Sequence, residues 1–422
     1  MVADTNFRDL HGLCRKLNQT TLQNSMKQPH FYLLFPNIFG YMGGIQVYSA
    51  VLLQALQDLY PDAQYDVFLK YDRADGVNLQ NLKFLPQTRF HYFGQSHGDR
   101  HLWRRYGMAS LAAAKMVSLG LWQRPTLILT THLDFYSVVF DWLKRVTGVP
   151  YGVVLHGLEA WNVENTALKS VLQRADQVMA VSHYTRDRLL REQSLQPDHV
   201  TVLPNAFDSS RFQIAPKPQY LLERYGLTPE QPVILTVSRL DQNTGYKGYN
   251  QIIQALVEIR RHIPDTHYVI AGKGNNIPHI EMLVRQLNLQ DCVTFTGFVP
   301  ESELCDHYNL CDVFALPSRG EGFGIVYLEA LACGKPVLAG NQDGAVDPLL
   351  NGEIGCLVDP DDVVAIAQNL THILQGTYPN PLLYQPETLR QKTIENFEFA
   401  QFRRTLAKLL QALQLPQTSV SS

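Results

Sequence analysis

Two carboxylates stand eight positions apart in the segment "SRGEGFGIVYLEALACGKPV", residues 318–337. Glu321 lies among glycines that disfavour a helix, whereas Glu329 lies in an apolar run of helical character. A helix is therefore predicted to begin near Gly324 and to carry Glu329 about 7 to 8 Å along its axis. Two acids placed in this way can bind hydroxyl groups at opposite ends of one extended ligand.

The glycines of the same segment point to an anion between the two acids. Gly322 and Gly324 allow the backbone to approach a ligand closely, and the start of a helix leaves N–H groups without partners. Such N–H groups are a ready anion site. A sugar joined through a diphosphate to a ribose has hydroxyl groups at both ends and negative charge in the middle, which suits this arrangement.

The elements that must position these residues alternate between strand and helix patterns. Strands are predicted at residues 31–36, 65–70, 126–130, 151–156, 177–182, 200–204, 232–238, 267–272, 292–297, 312–317 and 335–340. The alternation predicts an α/β chain with two Rossmann-like domains, each built on a parallel sheet. Ligands of such sheets bind beyond the carboxyl ends of the strands, so the cleft between the domains is the expected site.

Domain limits follow from composition. Residues 1–27 are polar and are interpreted as a tail, within which Met26 is a second candidate start. The first domain is predicted at 28–209 and the second at 220–387. The polar, proline-containing segment 207–219 is the candidate linker between them.

Composition narrows the class of protein. The 422 residues are 45% hydrophobic and 18% charged, which is typical of a globular chain, and the net charge of −3 does not favour a nucleic-acid partner. No leader pattern and no membrane-spanning run is recognised, so a cytoplasmic protein is expected. None of the six cysteines forms a Cys-x-x-Cys pair, and reduced, mostly buried thiols are expected. They are Cys14, Cys292, Cys305, Cys311, Cys333 and Cys356.

The segment "EGFGIVYLE" resembles the E-x7-E signature of retaining nucleotide-sugar glycosyltransferases of family 4, which have the GT-B fold. Five further segments resemble family motifs in the family's order: "GYMGGIQ", "LHG" at 155–157, "VLPNAFD", "VSRLDQNTGYKGYN" and "FTGFVP". The resemblance implies two Rossmann-like domains facing each other across a cleft. It also implies that a C-terminal helix, at about 388–414, crosses back to complete the first domain.

The resemblance assigns roles to individual residues. Glu321 and His156 are the implied catalytic residues, with Glu321 binding the sugar hydroxyls and His156 contacting the sugar from the first domain. Glu329 anchors the ribose, and no metal or cofactor is implied. The implied donor-binding residues are Gly43, Gly44, Arg239, Lys247, Phe298, Val299, Gly322, Phe323, Gly324, Ile325 and Glu329.

Simpler interpretations stay open for the same residues. The two acids can be ordinary helix-start and surface carboxylates, and Arg239 and Lys247 can be solvated charges. Gly43 and Gly44 can form a tight turn, and His156 can be a buried histidine whose nitrogens are satisfied. Against this, Arg239, Lys247 and His156 all follow predicted strand ends, where a ligand is expected.

The activity implied is that of a retaining, metal-independent hexosyltransferase. The preferred hypothesis is transfer of glucose from UDP-glucose to a glycan or lipid-linked acceptor in polysaccharide biosynthesis. Alternatives are a GDP-mannose-dependent mannosyltransferase, a GT-B sugar-nucleotide epimerase and a non-catalytic sugar-nucleotide sensor. A nicotinamide-dependent oxidoreductase is disfavoured because "FPNIFGYMGG" lacks the G-x-G-x-x-G fingerprint after the first strand.

Residues 99–116, "DRHLWRRYGMASLAAAKM", carry an apolar helical stripe beside basic residues. A basic amphipathic helix predicts peripheral contact with the anionic inner membrane face, and a normal sheet-covering helix is the alternative. The stripe consists of Leu102, Tyr106, Ala109, Ala113 and Met116, and the basic residues are Arg100, Arg104, Arg105 and Lys115.

Overall fold

The computed structural model describes residues 28–39, 43–73, 85–94 and 102–413, without the side chains of 102–109, 243 and 244. The predicted tail at 1–27, including Met26, and the side chains of Arg100, Arg104 and Arg105 lie outside this description. Within it the chain forms two all-parallel sheets of seven and six strands.

The first sheet has the spatial order β3-β2-β1-β4-β5-β6-β7. Its strands are β1 (His30–Phe35), β2 (Gln64–Leu69), β3 (Thr88–Tyr92), β4 (Leu127–Thr130), β5 (Tyr151–Leu155), β6 (Gln177–Ala180) and β7 (Val200–Val202). The helices of this part are α1 (Gly44–Leu59), α2 (Leu102–Gln123), α3 (Phe135–Thr147), α4 (Thr166–Arg174) and α5 (His183–Gln193).

The second sheet has the order β10-β9-β8-β11-β12-β13. Its strands are β8 (Val233–Val237), β9 (His267–Ala271), β10 (Val293–Gly297), β11 (Val313–Leu316), β12 (Val337–Gly340) and β13 (Cys356–Val358). Its helices are α6 (Gln219–Tyr225), α7 (Tyr249–His262), α8 (Ile277–Gln286), α9 (Glu301–Leu310), α10 (Ile325–Ala332) and α11 (Val363–Leu374).

Burial on both faces explains why continuous apolar runs form these strands. In β1, Phe31, Leu33 and Phe35 belong to one hydrophobic core, and Tyr32 and Leu34 belong to another on the opposite face. A strand covered by helices on both sides needs apolar residues at every position rather than at alternate ones. The prediction of two parallel-sheet, Rossmann-like domains is therefore confirmed.

The strand order of each sheet reverses at one place, next to β1 and β4 in the first sheet and next to β8 and β11 in the second. The loops that leave two such strands diverge and open a crevice at the carboxyl edge of the sheet. His156 follows β5, close to the first crevice, and Lys247 and Glu321 follow β8 and β11 at the second. The topology thus brings the predicted site residues to the sheet edges where ligands bind.

The C-terminal segment was predicted as one helix at about 388–414, but it forms two: α12 (Pro386–Phe397) and α13 (Phe399–Ala412). They break at Glu398, whose backbone is extended and forms a bridge with Phe207 in the linker. The Phe402 ring of α13 meets the Tyr48 ring of α1 edge to face, with centroids 5.4 Å apart. The chain therefore returns to the first sheet through this break, and the domain limits at 209 and 387 stay predictions.

Among the described residues, no helix combines the length and the apolar character that crossing a membrane requires.

Candidate functional site

Backbone hydrogen bonds from the neighbouring loop hold Glu321 in place. The loop that carries it joins β11 to α10, and the Glu321 N–H donates to Asp343 Oδ2 over 2.7 Å. The Gly344 N–H in turn donates to the carbonyl oxygen of Glu321 over 2.8 Å. Because Asp343 follows β12, which pairs with β11, the two loops brace one another at the sheet edge.

Gly322 brings the two halves of the chain into direct contact. A Cβ atom built at Gly322 would lie 1.5 Å from the carbonyl oxygen of His156, so no other residue fits without moving the backbone. Gly157 adopts a φ of +127° and its own Cβ would lie 2.8 Å from the Cα of Gly322. The loop bearing Glu321 therefore rests on the loop that bears His156.

Glu321 forms an ion pair with Lys247, which ends the 3₁₀ turn that follows β8. Both side chains are largely buried, with 14% of Lys247 and 13% of Glu321 exposed. Burial alone would lower the pKa of Lys247, but the Glu321 carboxylate outweighs it and the pKa is raised. The charge of Arg239 also acts on Lys247, so the two predicted diphosphate-binding cations lie near one another.

His156 is held as a neutral ring with one nitrogen available. Its side chain bonds the backbone of Thr131, and its ring meets Tyr48 edge to face at 4.9 Å. Burial lowers the pKa of His156 to about 3, with a smaller contribution from His132. Nε2 is buried and has no hydrogen-bond partner among the described residues. Nε2 is therefore the ring nitrogen available for a hydrogen bond with a ligand.

The glycines predicted to bind the diphosphate lie at the start of α1. Gly43 is extended and precedes the helix, which has neither a side-chain cap nor an acid in its first turn. A Cβ atom at Gly44 would meet nothing within 4 Å. Among the described residues this helix start therefore has no side-chain cap, as an anion site requires, and Tyr48, about one turn along the helix, contacts the His156 ring.

Glu329 is the fifth residue of α10, and its carboxylate accepts a hydrogen bond from the Tyr308 hydroxyl at 2.6 Å. Burial raises the pKa of Glu329 to about 7, against an ordinary value of 4.5, although Tyr308 and Arg211 oppose the shift. The acid is thus separated from the Lys247–Glu321 pair by the start of α10. The structure gives it a partner of its own on α9.

The pKa of Glu329 makes stability depend on pH. The folded chain favours the neutral acid, so this stabilisation is complete below pH 4.5 and is lost as the pH rises through about 7. Glu329→Gln keeps an oxygen for Tyr308 and cannot ionise. We expect the variant to melt with the wild type at pH 4.5 and a few degrees above it at pH 8, as measured by thermal unfolding. A melting difference that does not change with pH would contradict the assignment.

The side chains of Phe298, Val299 and Phe323, which were also predicted to bind the donor, differ in their exposure to solvent. The Phe298 ring is 61% exposed, and the Lys273 Nζ lies 4.8 Å from its centre, whereas Val299 is partly buried. The Phe323 ring instead packs on Phe397 in the core, with centroids 5.6 Å apart. Only the backbone of Phe323 is left to meet a donor.

Gly324 and Ile325 form the start of α10. Gly324 is the N-cap with a φ of +89°, and a Cβ there would lie 2.3 Å from the Tyr327 ring. The helix has no side-chain cap, and Ile325 is partly buried. The predicted glycine loop therefore ends in an uncapped helix start, as the sequence suggested.

Several polar residues that the sequence did not single out support this site. Asp343 is fully buried, and burial together with the charge of Glu321 raises its pKa to about 7. The Glu159 carboxylate accepts the backbone N–H of His156 and so orients that loop. Both residues follow strand ends, at β12 and β5, and that position was the one signal available in the sequence.

A second polar contact joins the two halves of the chain. Asp347, from the second half, accepts the N–H groups of His183 at 2.8 Å and of Tyr184 at 3.2 Å, at the start of α5. The His183 Nδ1 also lies 2.7 Å from the same carboxylate, which raises the pKa of His183. Because negative charge is favoured at a helix N-terminus, this contact holds the halves together beside the Gly322 junction.

Comparison with known families matches both halves of the chain. Residues 42–211 match the model of Glycosyltransferase Family 4, and residues 221–396 match that of Glycosyl transferases group 1. The two matches meet near the linker that was predicted from composition.

Curated relatives share these matches. A GDP-mannose-dependent α-(1-6)-phosphatidylinositol monomannoside mannosyltransferase of Mycolicibacterium smegmatis is 37% identical over 60% of this chain and 68% of its own length. A protein of the same description from Mycobacterium tuberculosis is 35% identical, but the match covers only 59% of it. D-inositol 3-phosphate glycosyltransferase 2 of Catenulispora acidiphila is 30% identical over 78% of this chain and 82% of its own length.

Solved structures share the fold. HepE of Anabaena, crystallised with UDP and glucose, superposes with a TM-score of 0.73 at 20% identity and covers 91% of this chain and 100% of its own. Sucrose-phosphate synthase of Thermosynechococcus elongatus gives 0.73 at 21% identity, over 92% of this chain and 99% of its own. With two parallel sheets, both family matches and these relatives, the chain belongs to the family 4 glycosyltransferases of the GT-B fold.

Proposed function

We propose that this protein is a retaining, metal-independent hexosyltransferase that moves a sugar from a nucleoside diphosphate to a glycan or lipid-linked acceptor. One observation carries the proposal: Glu321, which is paired with Lys247, lies on a loop that touches the backbone of His156 through Gly322. A cation and an acid of the second half are thus held at the junction with the loop that carries the His156 imidazole.

The charges suit a diphosphate leaving group. Lys247 is neutralised by Glu321, and a bound diphosphate would attract the ammonium group and release the carboxylate toward the sugar hydroxyls. Arg239 and the start of α1 would stabilise the same anion. These fixed positive groups supply what a metal ion supplies elsewhere, so we expect full activity in excess EDTA.

Retention follows if the acceptor attacks the face from which the diphosphate leaves. The bond between C1 and the phosphate oxygen breaks with its electron pair on the phosphate, and a bond forms between C1 and the acceptor oxygen. The departing phosphate takes the acceptor's proton, which balances the step. His156 Nε2 would accept a hydrogen bond from a sugar hydroxyl, and Glu329 would bind the ribose.

For the donor we favour GDP-mannose. The sequence alone led to UDP-glucose, but the relatives at 37% and 35% identity are described as GDP-mannose-dependent. UDP-glucose is the second candidate, since an Anabaena structure with this fold contains UDP and glucose. The change of preference rests on relatives alone, because the exposed Phe298 ring can stack on either base.

The decisive experiment is incubation with each donor and an acceptor mixture that includes a phosphatidylinositol glycoside. We expect GDP release that requires acceptor and a product with the same anomeric configuration as the donor. Conversion of the donor to an epimeric nucleotide sugar without acceptor and without net nucleotide release would favour an epimerase, and nucleotide binding without any turnover would favour a sensor. An inverted product would contradict the proposed mechanism.

An apolar surface on α2 and α3 suits a lipid-linked acceptor. The helices pack together where Gly120 meets Leu143, and the large exposed apolar side chains are Leu111, Leu121, Trp122, Phe135, Trp142 and Val146. Trp122 is 89% exposed. Exposed Lys115, Arg124 and Arg145 lie on or directly after these helices. In the predicted membrane segment at 99–116, the described part of the apolar stripe faces the core instead, with Met116 buried and Ala113 packed against the core. We propose that the exposed surface, which overlaps the end of that segment at Leu111 and Lys115, contacts the inner membrane face of a cytoplasmic enzyme.

The double variant Trp122→Ser/Trp142→Ser is expected to bind anionic vesicles at least about tenfold more weakly, because two interfacial tryptophans no longer insert. Co-sedimentation with vesicles of phosphatidylglycerol and phosphatidylcholine measures this. Val364→Ser removes an equally exposed apolar residue from α11, in the other half of the chain, and should leave binding unchanged. Equal binding by the double variant and the wild type would refute the membrane surface.

A further inference from the structure

Two cysteines lie side by side on neighbouring helices of the second half. The sulfur of Cys305, on α9, is 3.9 Å from the sulfur of Cys333, the residue that ends α10. Cys305 is partly exposed and Cys333 is buried. A disulfide needs the sulfurs about 2 Å apart, so closing this pair requires rotation of the two side chains, a shift of the helices, or both.

The two thiols have different surroundings. The Gln213 N–H and the Asn309 amide each approach the Cys305 sulfur at 3.5 Å, and the charge of Arg390 acts on it. The hydrogen bond from Cys333, with these groups, lowers the pKa of Cys305 to about 6. The pKa of Cys333 is raised, first by the same bond and then by burial. Cys305 is therefore the nucleophilic thiol, and Cys333 is the resolving thiol that reacts second.

We propose that Cys305 and Cys333 form a reversible modification site, a dithiol that a peroxide closes to a disulfide. The Cys305 thiolate attacks one peroxide oxygen, which gives a sulfenic acid and releases hydroxide. The Cys333 sulfur then attacks the Cys305 sulfur and water leaves. In total, two thiols and one hydrogen peroxide give one disulfide and two waters.

The same two helices carry the Tyr308–Glu329 hydrogen bond. Tyr308 lies three residues after Cys305, and Glu329 lies four residues before Cys333, so each pair shares a helix face. We expect a disulfide to shift these helices and so to change the 2.6 Å distance from the Tyr308 hydroxyl to Glu329. This consequence rests on the proposed role of Glu329 in ribose binding, whereas disulfide formation does not.

The chemistry is tested on the full chain by titration with hydrogen peroxide and peptide mapping by mass spectrometry. We expect a crosslinked peptide pair containing Cys305 and Cys333, with the loss of two hydrogens, and its reversal by dithiothreitol. Cys333→Ser should stop at a sulfenic acid on Cys305 that dimedone traps. Cys292→Ser, which removes a buried thiol elsewhere in the same half, should still crosslink. Absence of the crosslink in the wild type would overturn the proposal.

The functional consequence is measured by calorimetric titration of reduced and oxidised protein with GDP and UDP. We expect the preferred nucleotide to bind about tenfold more weakly to the oxidised wild type, and equally well to Cys333→Ser with and without peroxide. A disulfide that leaves nucleotide affinity unchanged would refute the link to Glu329. Failure of the reduced protein to bind either nucleotide would overturn the proposed function and leave the dithiol result standing.

Discussion

Replacing Glu321 by Gln is expected to lower kcat by about 100- to 1,000-fold, the usual cost of removing one preorganised electrostatic contact at a reacting centre. Glutamine keeps the shape and one acceptor oxygen but loses the charge that neutralises Lys247. The freed ammonium group should bind a nucleoside diphosphate at least as tightly as before. We therefore expect kcat to fall while the affinity for free GDP or UDP does not.

Steady-state kinetics at saturating donor and acceptor, together with calorimetry of the nucleotide, measure both quantities. Glu353→Gln provides a matched control, because Glu353 also pairs with a lysine, Lys392, but lies half exposed on the surface. If Glu321→Gln turned over as fast as the wild type, Glu321 would not act at the reacting centre.

Gly322→Ala is expected to lower kcat/KM by about 100-fold or more, because a displacement of about 1 Å at a reacting centre can cost that much. The added methyl group would lie 1.5 Å from the His156 carbonyl, and neither backbone can give way without separating the two loops. Nucleotide affinity should fall much less than kcat/KM, since Arg239, Lys247 and Glu329 belong to the second half of the chain and only the start of α1 belongs to the first.

Gly245→Ala is the matched control, because its methyl group meets nothing within 4 Å and its backbone is not left-handed. Wild-type kcat/KM in Gly322→Ala would show that the approach of the two loops is not needed for turnover. A loss of nucleotide affinity equal to the loss of kcat/KM would instead indicate damage to the second sheet.

The two strands of the described residues that were missed are both edge strands, whereas the other two edge strands, β7 and β10, were predicted. Eleven of the thirteen strands coincide with apolar runs in the sequence, and the two missed strands, β3 (Thr88–Tyr92) and β13 (Cys356–Val358), each lie at a sheet edge. β3 reads "TRFHY" and is only partly buried, and β13 has three residues. Edge strands have one neighbour, so they need less apolar sequence and leave a weaker signal.

The identity of the sugar donor could not be predicted from the sequence motifs. The six motif segments support a family 4 enzyme, which the relatives confirm, but UDP-glucose was preferred only because it is a common donor. The loop at Phe298 and Val299 is predicted to bind the base through its backbone, and the exposed Phe298 ring can stack on any base, so these motif residues do not predict which nucleobase binds. The similarity to GDP-mannose-dependent relatives changed the preferred donor to GDP-mannose, and nucleotide binding measurements have to decide between the two donors.

Local sequence by itself determined the alternating elements, the parallel sheets and the strand ends at which Glu321, Lys247 and His156 occur. Tertiary structure alone decided which of these groups meet. Lys247 and Glu321 are 74 residues apart, and their contact depends on the pairing of β8 with β11 in the second sheet. His156 and Gly322 are 166 residues apart, and their contact depends on how the two sheets face each other. Helix and strand propensity and hydrophobic periodicity act over a few residues. The neutral state of His156, the raised pKa of Glu329 and the raised pKa of the buried Asp343 carboxyl arise instead from burial, which only the assembled fold provides.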